Sequence, residues 1–298
     1  MEEFDIVIVG AGTAGMTAGI YATRANKKTL ILEGKNYGGQ IINTPDIENF
    51  PALNHISGIE YATNLYNQVK ELGVTYKREE VQNITEDRLV ATNKNQYQAK
   101  AIIIATGTQN RKLGLEGEDA LVGRGISYCA TCDGRFYKGK NVAVIGGGNT
   151  AIEDAIYLSD LAEKVYLIHR REGFRADQKA IEILKSKKNV EFILNNKPHK
   201  LIAENKLTGL EIINNENEIT KIDISGLFIA IGQIPNTEIF KGFVDLNESG
   251  YIKSEDGVHT NIEKIYVAGD VREKELRQLI TAASDGAIAA NTAISEIQ

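Results

Sequence analysis

The chain has 298 residues, 42% of them apolar, with 34 Lys and Arg against 40 Asp and Glu and a net charge of −6. This length and charge mixture exclude a disordered chain and a small disulfide-stapled fold, and they set a prior of about two domains. The acidic balance argues against nucleic acid as the main partner, and the two cysteines, Cys129 and Cys132, cannot frame a secreted protein.

Asp5–Val9 is a β-branched run suited to a buried parallel strand. It enters Gly10-Ala11-Gly12-Thr13-Ala14-Gly15 and a helix-like stretch to about Ala25. The uncharged run Ile6–Thr23 has the length of a membrane span. Its glycines and threonines, and the acidic Glu2, Glu3 and Asp5 before it, argue against a span or a secretory signal, so a cytoplasmic chain is expected. A strand at Thr29–Leu32 ends at Glu33, Glu80–Ala99 reads as short antiparallel strands, and Ala101–Gly107 follows as a further apolar run.

The plan then recurs. Asn141–Ile145 enters Gly146-Gly147-Gly148-Asn149-Thr150-Ala151, a helix to about Leu161 and a strand at Lys164–Ile168. Lys200–Ser225 repeats the antiparallel pattern, with a turn at Asn214–Asn217, and Leu227–Gly232 repeats the apolar run. Two similar modules in one chain are the dominant signal. Beyond Asn236 there remain a strand at Lys264–Ala268, Gly269-Asp270 and a small-residue helix from about Gln278. This is too short for a third domain and is expected to pack back onto the first module. The fold class predicted is α/β, with two Rossmann-like domains of three-layer ββα type, the second inserted in the first. The first would comprise residues 1–112 and 240–298, and the second residues 113–239.

In G-x-G-x-x-G the first glycine makes the turn, the second admits a pyrophosphate and the third packs the helix on the strand. Gly10, Gly12 and Gly15 fill those slots, Thr13 and Ala14 open the helix, and Glu33 stands where a ribose is bound. In the second turn Gly146, Gly148 and Ala151 take the slots, with Asn149 and Thr150 between. No acid closes its second strand. His169-Arg170-Arg171 and Arg175 stand there instead, and guanidinium groups suit a ribose 2′-phosphate, so this module is expected to bind NADPH.

Cys129-Ala-Thr-Cys132 precedes the second module. Zinc needs further ligands, and the four His, at 55, 169, 199 and 259, lack metal-ligand spacing. A structural disulfide over so short a loop would add little stability. The spacing suits reversible closure of a redox-active dithiol. Asp133 is either an acid/base for the departing thiolate or part of an Asp-Gly turn. A nicotinamide gives a hydride and a disulfide accepts two electrons. A flavin commonly mediates, which assigns FAD to the first module.

With these motifs in place, the chain resembles the low-molecular-weight bacterial-type thioredoxin reductases over essentially its whole length. The likeness runs through Gly10–Gly15, Tyr37-Gly-Gly-Gln40, Ala105-Thr-Gly107, Cys129–Asp133, Gly146–Ala151, His169–Arg171, Gly269-Asp270 and Arg277-Gln278. The resemblance implies a homodimer with one FAD per subunit. It implies that Gly38, Gly39, Gln40 and Asn49 lie near the flavin or its phosphates, and that Asp270, Arg277 and Gln278 hold the ribityl and isoalloxazine portion. Val81, Ala105, Thr106, Gly107, Gly269 and Leu279 join the FAD set, and Ile231 and Gly232 the NADPH set. Cys132 would face the flavin, Cys129 would attack the disulfide of thioredoxin or a thioredoxin-like small redox protein, and Asp133 would be the acid/base.

Family members alternate between two domain orientations, with joints expected near Asn110–Gly117 and Gln233–Lys241. Thr13, Met16 and Arg135 depart from the family's usual residues. Arg135, Lys138 and Lys140 would form a basic lip for an acidic partner. A ferredoxin–NADP reductase of this fold lacks the cysteine pair. A ferredoxin-driven reductase, a dithiol oxidase or a small-molecule disulfide reductase with another donor would not need Gly146–Ala151 or the arginines. A fused peroxiredoxin reductase, a metal, a nucleic-acid partner and a membrane segment are not expected.

Overall fold

The structure, a computed structural model, describes residues 1–53, 55–254 and 256–297. In chain order it begins with β1 (Glu2–Val9), α1 (Thr13–Arg24), β2 (Thr29–Leu32), α2 (Gly58–Glu71) and β3 (Thr75–Lys77). β4 (Val81–Ile84), β5 (Leu89–Thr92), β6 (Gln96–Ile104) and β7 (Thr108–Asn110) follow. The inserted part holds α3 (Glu118–Leu121), β8 (Ile126–Ser127), α4 (Ala130–Asp133), β9 (Asn141–Ile145), α5 (Asn149–Ser159), β10 (Lys164–His169), α6 (Gln178–Ser186) and β11 (Val190–Leu194). It continues through β12 (Asn196–Ala203), β13 (Leu207–Asn214), β14 (Ile219–Asp223) and β15 (Gly226–Ile229), and β16 (Gln233–Pro235) follows where the chain returns to the first unit. β17 (Ile265–Val267) and α7 (Leu279–Glu296) close the chain.

Two compact units result, Met1–Gln109 with Ile234–Gln298, and Asn110–Gln233. The α/β plan with one module inserted in the other is the one the sequence predicts. The first unit carries a sheet ordered β3-β2-β1-β6-β5-β4, with β17 also on β6. The second carries an all-parallel sheet, β11-β10-β9-β15-β8, and an antiparallel β12-β13-β14 ribbon.

Register positions both glycine turns. Val9 pairs with Leu32 on one side and Ile104 on the other, so Gly10, Glu33 and Ala105 leave the sheet at one edge. Ile145 pairs with Ile168 and Ile229 in the same way, so Gly146, His169 and Ala230 leave together. Both faces of each central strand are buried, as β-branched runs without polar alternation demand. Ile6 and Ile8 pack under α1 and α7, while Val7 and Val9 join the opposite cluster. Val142 and Val144 divide from Ala143 and Ile145 likewise.

One element differs from its sequence reading. The antiparallel region and the apolar run ending at Gly107 share a strand, because β6 pairs with β5 at its start and with β1 along its length. No glycine or proline interrupts Gln96–Ile104, and its burial alternates before becoming continuous.

Candidate active site

In the first glycine turn Gly10 has φ +108°, and a Cβ there would collide with the Ala105 carbonyl. A Cβ on Gly15 would collide with the Gly10 carbonyl, so helix and turn touch through backbone alone. Above Gly12 a Cβ would meet nothing within 4 Å, which leaves the cradle a pyrophosphate requires. Thr13 and Ala14 are buried at the start of α1.

Glu33 stands at this edge. Its Oε2 accepts from Ala11 N at 2.9 Å and its Oε1 from Lys35 N at 2.9 Å. A carboxylate has about four lone-pair positions, so both oxygens retain capacity for ribose hydroxyls. Gly38 N donates to Ala11 O at 2.8 Å, and Gly38 forms a bridge with Gly12. Gly39 follows with φ +67°. These residues therefore form one connected surface with the turn. Gln40 Nε2 donates to Thr108 O at 3.1 Å, and Thr106 and Gly107 are tied to Asn236 by three hydrogen bonds. Val81 opens β4 with its side chain in the core.

The C-terminal segment adds the groups with the strongest ligand signal. Asp270 Oδ1 is buried without a hydrogen-bond partner in the described structure, and burial pushes its carboxyl up. Lys274 Nζ lies 3.7 Å away as an ion-pair partner, which leaves Oδ1 with acceptor capacity for a ligand hydroxyl such as those of a ribityl chain. Arg277 stacks 4.0 Å from the Tyr251 ring centroid and donates to Asp270 O. Gln278 caps α7, which begins at Leu279, and its Oε1 accepts from Asn49 Nδ2 at 3.0 Å. The residues present thus fit FAD.

Sequence reading missed the support beneath Asp270. Buried Asp285 accepts from Gly269 N, from Arg272 Nε and Nη2, and from Lys274 Nζ, at 2.8 to 3.0 Å. Burial pushes Asp285 up, but its bonds to Arg272 and Lys274 outweigh that and hold it down. The available signal was an acid in an otherwise small and apolar helix.

In the second unit a Cβ on Gly146 would collide with the Ala230 carbonyl, while the space above Gly148 is open. Asn149 and Thr150 are exposed at the start of α5, and Ala151 is buried. Arg170, Arg171 and Arg175 are exposed beside this turn. His169 is buried, its Nε2 3.2 Å from Gly173 O. Burial, joined by the nearby arginines, holds its pKa down despite that bond. Ile231 precedes Gly232, which has φ +99° and accepts at its carbonyl from Arg111 N.

Cys129 and Cys132 form a disulfide across α4. Cys132 N donates to Cys129 Sγ at 3.2 Å, a bond that would favour a thiolate at Cys129 once the disulfide opens. Asp133 lies at the end of the same turn. Its Oδ2 accepts from Ser127 Oγ at 2.6 Å, while Oδ1 is buried without a hydrogen-bond partner in the described structure. Burial pushes Asp133 up against the opposing Ser127 bond. Ser127 Oγ also accepts from Cys129 N at 3.1 Å, linking the acid to the cysteine backbone. Arg135, Lys138 and Lys140 are exposed just beyond.

Elsewhere, Asp46, Glu48 and His55 bring ligand-type atoms within 4.8 Å of one another, and His55 Nδ1 already pairs with Asp46 Oδ2 at 2.8 Å. No helix among the described residues is long and apolar enough to cross a membrane.

Two dinucleotide-type turns and a redox-closed cysteine pair agree with the known proteins this chain is similar to. The profile of the pyridine nucleotide-disulphide oxidoreductases matches residues 4–286. The chain belongs to that family. This oxidoreductase is 40% identical to a thioredoxin reductase of Bacillus subtilis over 97% of its own length and 93% of the relative's. A thioredoxin reductase structure from Streptococcus pyogenes superposes with a TM-score of 0.94 at 38% identity, covering 99% of this chain and 98% of the other. One from Giardia duodenalis also gives 0.94, at 33% identity, covering 100% and 99%.

Proposed function

We propose that this oxidoreductase is a cytoplasmic, homodimeric thioredoxin reductase that takes two electrons from NADPH and reduces the disulfide of thioredoxin or a thioredoxin-like protein. The observation that carries the reading is the Cys129–Cys132 disulfide beside a half-buried Asp133 with one oxygen bonded and the other buried, in a unit with its own dinucleotide turn. FAD, held by the first turn, Glu33, Gly38, Gly39 and Asp270, supplies the conversion between a hydride and a dithiol. Arg170, Arg171 and Arg175 hold the NADPH 2′-phosphate. The unit Met1–Gln109 with Ile234–Gln298 serves as the FAD domain, and Asn110–Gln233 as the NADPH domain.

In the reduced protein Cys129 Sγ, favoured as thiolate by the Cys132 amide, attacks one sulfur of the partner disulfide. A mixed disulfide forms and one partner thiolate leaves. Cys132 then attacks Cys129 Sγ, re-forming the internal disulfide and releasing the second partner sulfur. Asp133, with its raised pKa, takes the Cys132 proton and returns it to the departing sulfur. Two thiols are thereby oxidised and one disulfide reduced. Exposed Arg135, Lys138 and Lys140 favour an acidic partner surface. Exposed Tyr21, Ile59, Ile280 and Ile288 on α1, α2 and α7 support the dimer, which light scattering of the purified protein tests.

The deciding experiment mixes purified protein anaerobically with NADPH, follows flavin bleaching, and then adds thioredoxin. Bleaching followed by thioredoxin reduction is expected. No bleaching by NADPH overturns the reading, and bleaching without thioredoxin reduction overturns the partner. Cys129→Ser is expected to abolish the second stage and preserve the first.

A further inference from the structure

The arginine segment after β10 is fastened to the second glycine turn by groups other than its guanidiniums. Gly147 O accepts from Arg175 N at 2.7 Å, and Gly148 and Arg175 form a parallel bridge. Asn149 Oδ1 accepts from Asp177 N at 2.9 Å, and the Asp177 carboxylate in turn caps α6 through Lys179 N and Ala180 N. His169 closes the segment from below. A Cβ on Gly147 would occupy the place of its imidazole. The ring stacks on Phe174, centroids 5.4 Å apart at 24°, and Phe174 packs against Phe192. Gly173 O is an acceptor only, so the contact at 3.2 Å requires a proton on His169 Nε2. Residues 170–177 therefore form a loop held to residues 147–149 at Arg175 and at Asp177, with Arg170, Arg171 and Arg175 on its exposed side.

We infer that His169 and Asn149 are positioning residues that set the preference for a 2′-phosphorylated nicotinamide nucleotide. They act by holding the arginine loop in fixed register with the pyrophosphate turn. This rests on the proposal that those arginines receive the 2′-phosphate. Two fixed anchors, one for each phosphate group, bind without an ordering penalty at the loop. With the loop released, the turn still offers its own amides to the pyrophosphate, but the arginines must be ordered on binding. The loss therefore falls on NADPH and spares NADH.

The test is calorimetric titration of the holoenzyme with NADP⁺ and with NAD⁺, which differ only in the 2′-phosphate and transfer no hydride to the flavin. Wild type is expected to favour NADP⁺. His169→Ala and Asn149→Ala are each expected to reduce the NADP⁺/NAD⁺ affinity ratio at least five-fold, the loss falling mainly on NADP⁺. His169→Gln, which retains a donor for Gly173 O, is expected to recover part of the ratio. Asn149 is exposed, so its variant tests the loop even if His169→Ala fails to fold. A wild-type ratio near one overturns the reading of the arginines and the inference with it. A wild-type preference retained in Asn149→Ala, with Arg170→Ala/Arg171→Ala abolishing it, overturns the inference alone.

Discussion

Asp133 has one oxygen bonded to Ser127 and one buried without a hydrogen-bond partner, and that asymmetry is what an acid/base group needs. Burial disfavours its charge and raises its pKa, and the Ser127 hydroxyl opposes that shift. Asp133→Asn preserves shape and removes the proton. It is expected to slow thioredoxin reduction by about 100-fold, within the range of general acid–base catalysis. Flavin reduction by NADPH in anaerobic stopped flow should be unchanged. Ser127→Ala removes the bond that lowers the Asp133 pKa, so the pH–rate limb belonging to Asp133 should move to higher pH. The cysteine pair was legible in the sequence because C-x-x-C is a local pattern, whereas Asp133 read equally as part of an Asp-Gly turn and was named as acid/base through family resemblance. Ser127 was not, since its role depends on β8 ending so that its hydroxyl reaches six residues ahead. Asp270 was named through family resemblance, but the Asp285, Arg272 and Lys274 support required the helix that brings it underneath.

At the scale of elements, carboxylates fasten loops whose sequence reads only as turn. Glu118, 3% exposed, accepts from Leu113 N, Gly114 N and Leu115 N, and from Tyr128 OH at 2.8 Å. It ties the segment that enters the second unit to the residue before Cys129. Glu118→Ala would leave four donors on partly buried and exposed residues without their acceptor and is expected to lower stability by about 1–2 kcal/mol, read as a lower melting temperature. Glu118→Gln should lose less. The sequence concealed this role because Gly114-Leu-Glu-Gly117 signals a turn and gives no sign of burial at the next residue.

A second fastening holds the end of α7. His259 Nε2 contacts Glu296 Oε1 at 2.8 Å, His259 Nδ1 contacts Asp256, and Tyr266 OH donates to Glu296 Oε2 at 2.6 Å. The Glu296 bond, with Asp256 assisting, outweighs burial and raises the His259 pKa. A raised histidine pKa stabilises the fold fully below the unfolded value, about 6.5, and that contribution disappears as pH rises through the folded value. The pair is partly exposed, so screening limits it to about 1 kcal/mol. The melting temperature of wild type relative to His259→Gln should therefore fall by about 2 °C between pH 6 and pH 9. A constant difference across that range would remove the fastening.

The molecule as a whole shows why a linear sequence can carry an interrupted domain. The repeated strand–glycine turn–helix pattern made the two modules visible, and the short remainder after Asn236 pointed back to the first. The remainder completes both faces of the first sheet. Val258, Tyr266, Ala268, Ala289, Ala290 and Ala293 belong to the cluster under α1, and Phe240, Val244, Ile252, Ile265, Val267 and Val271 to the opposite one. The large members each contribute about 1.5–3 kcal/mol on burial, against a net domain stability of about 5–15 kcal/mol. Residues 1–109 expressed alone therefore lose more than a domain's margin, and no cooperative thermal transition is expected from them. Residues 110–233 are contiguous and keep both of their own clusters, from Ala130 to Phe228 and from Leu121 to Ile229. That fragment is expected to melt cooperatively and to bind NADP⁺ without flavin. A cooperative transition in 1–109, or an unfolded 110–233, would show that the units are not the separate folding entities their cores define.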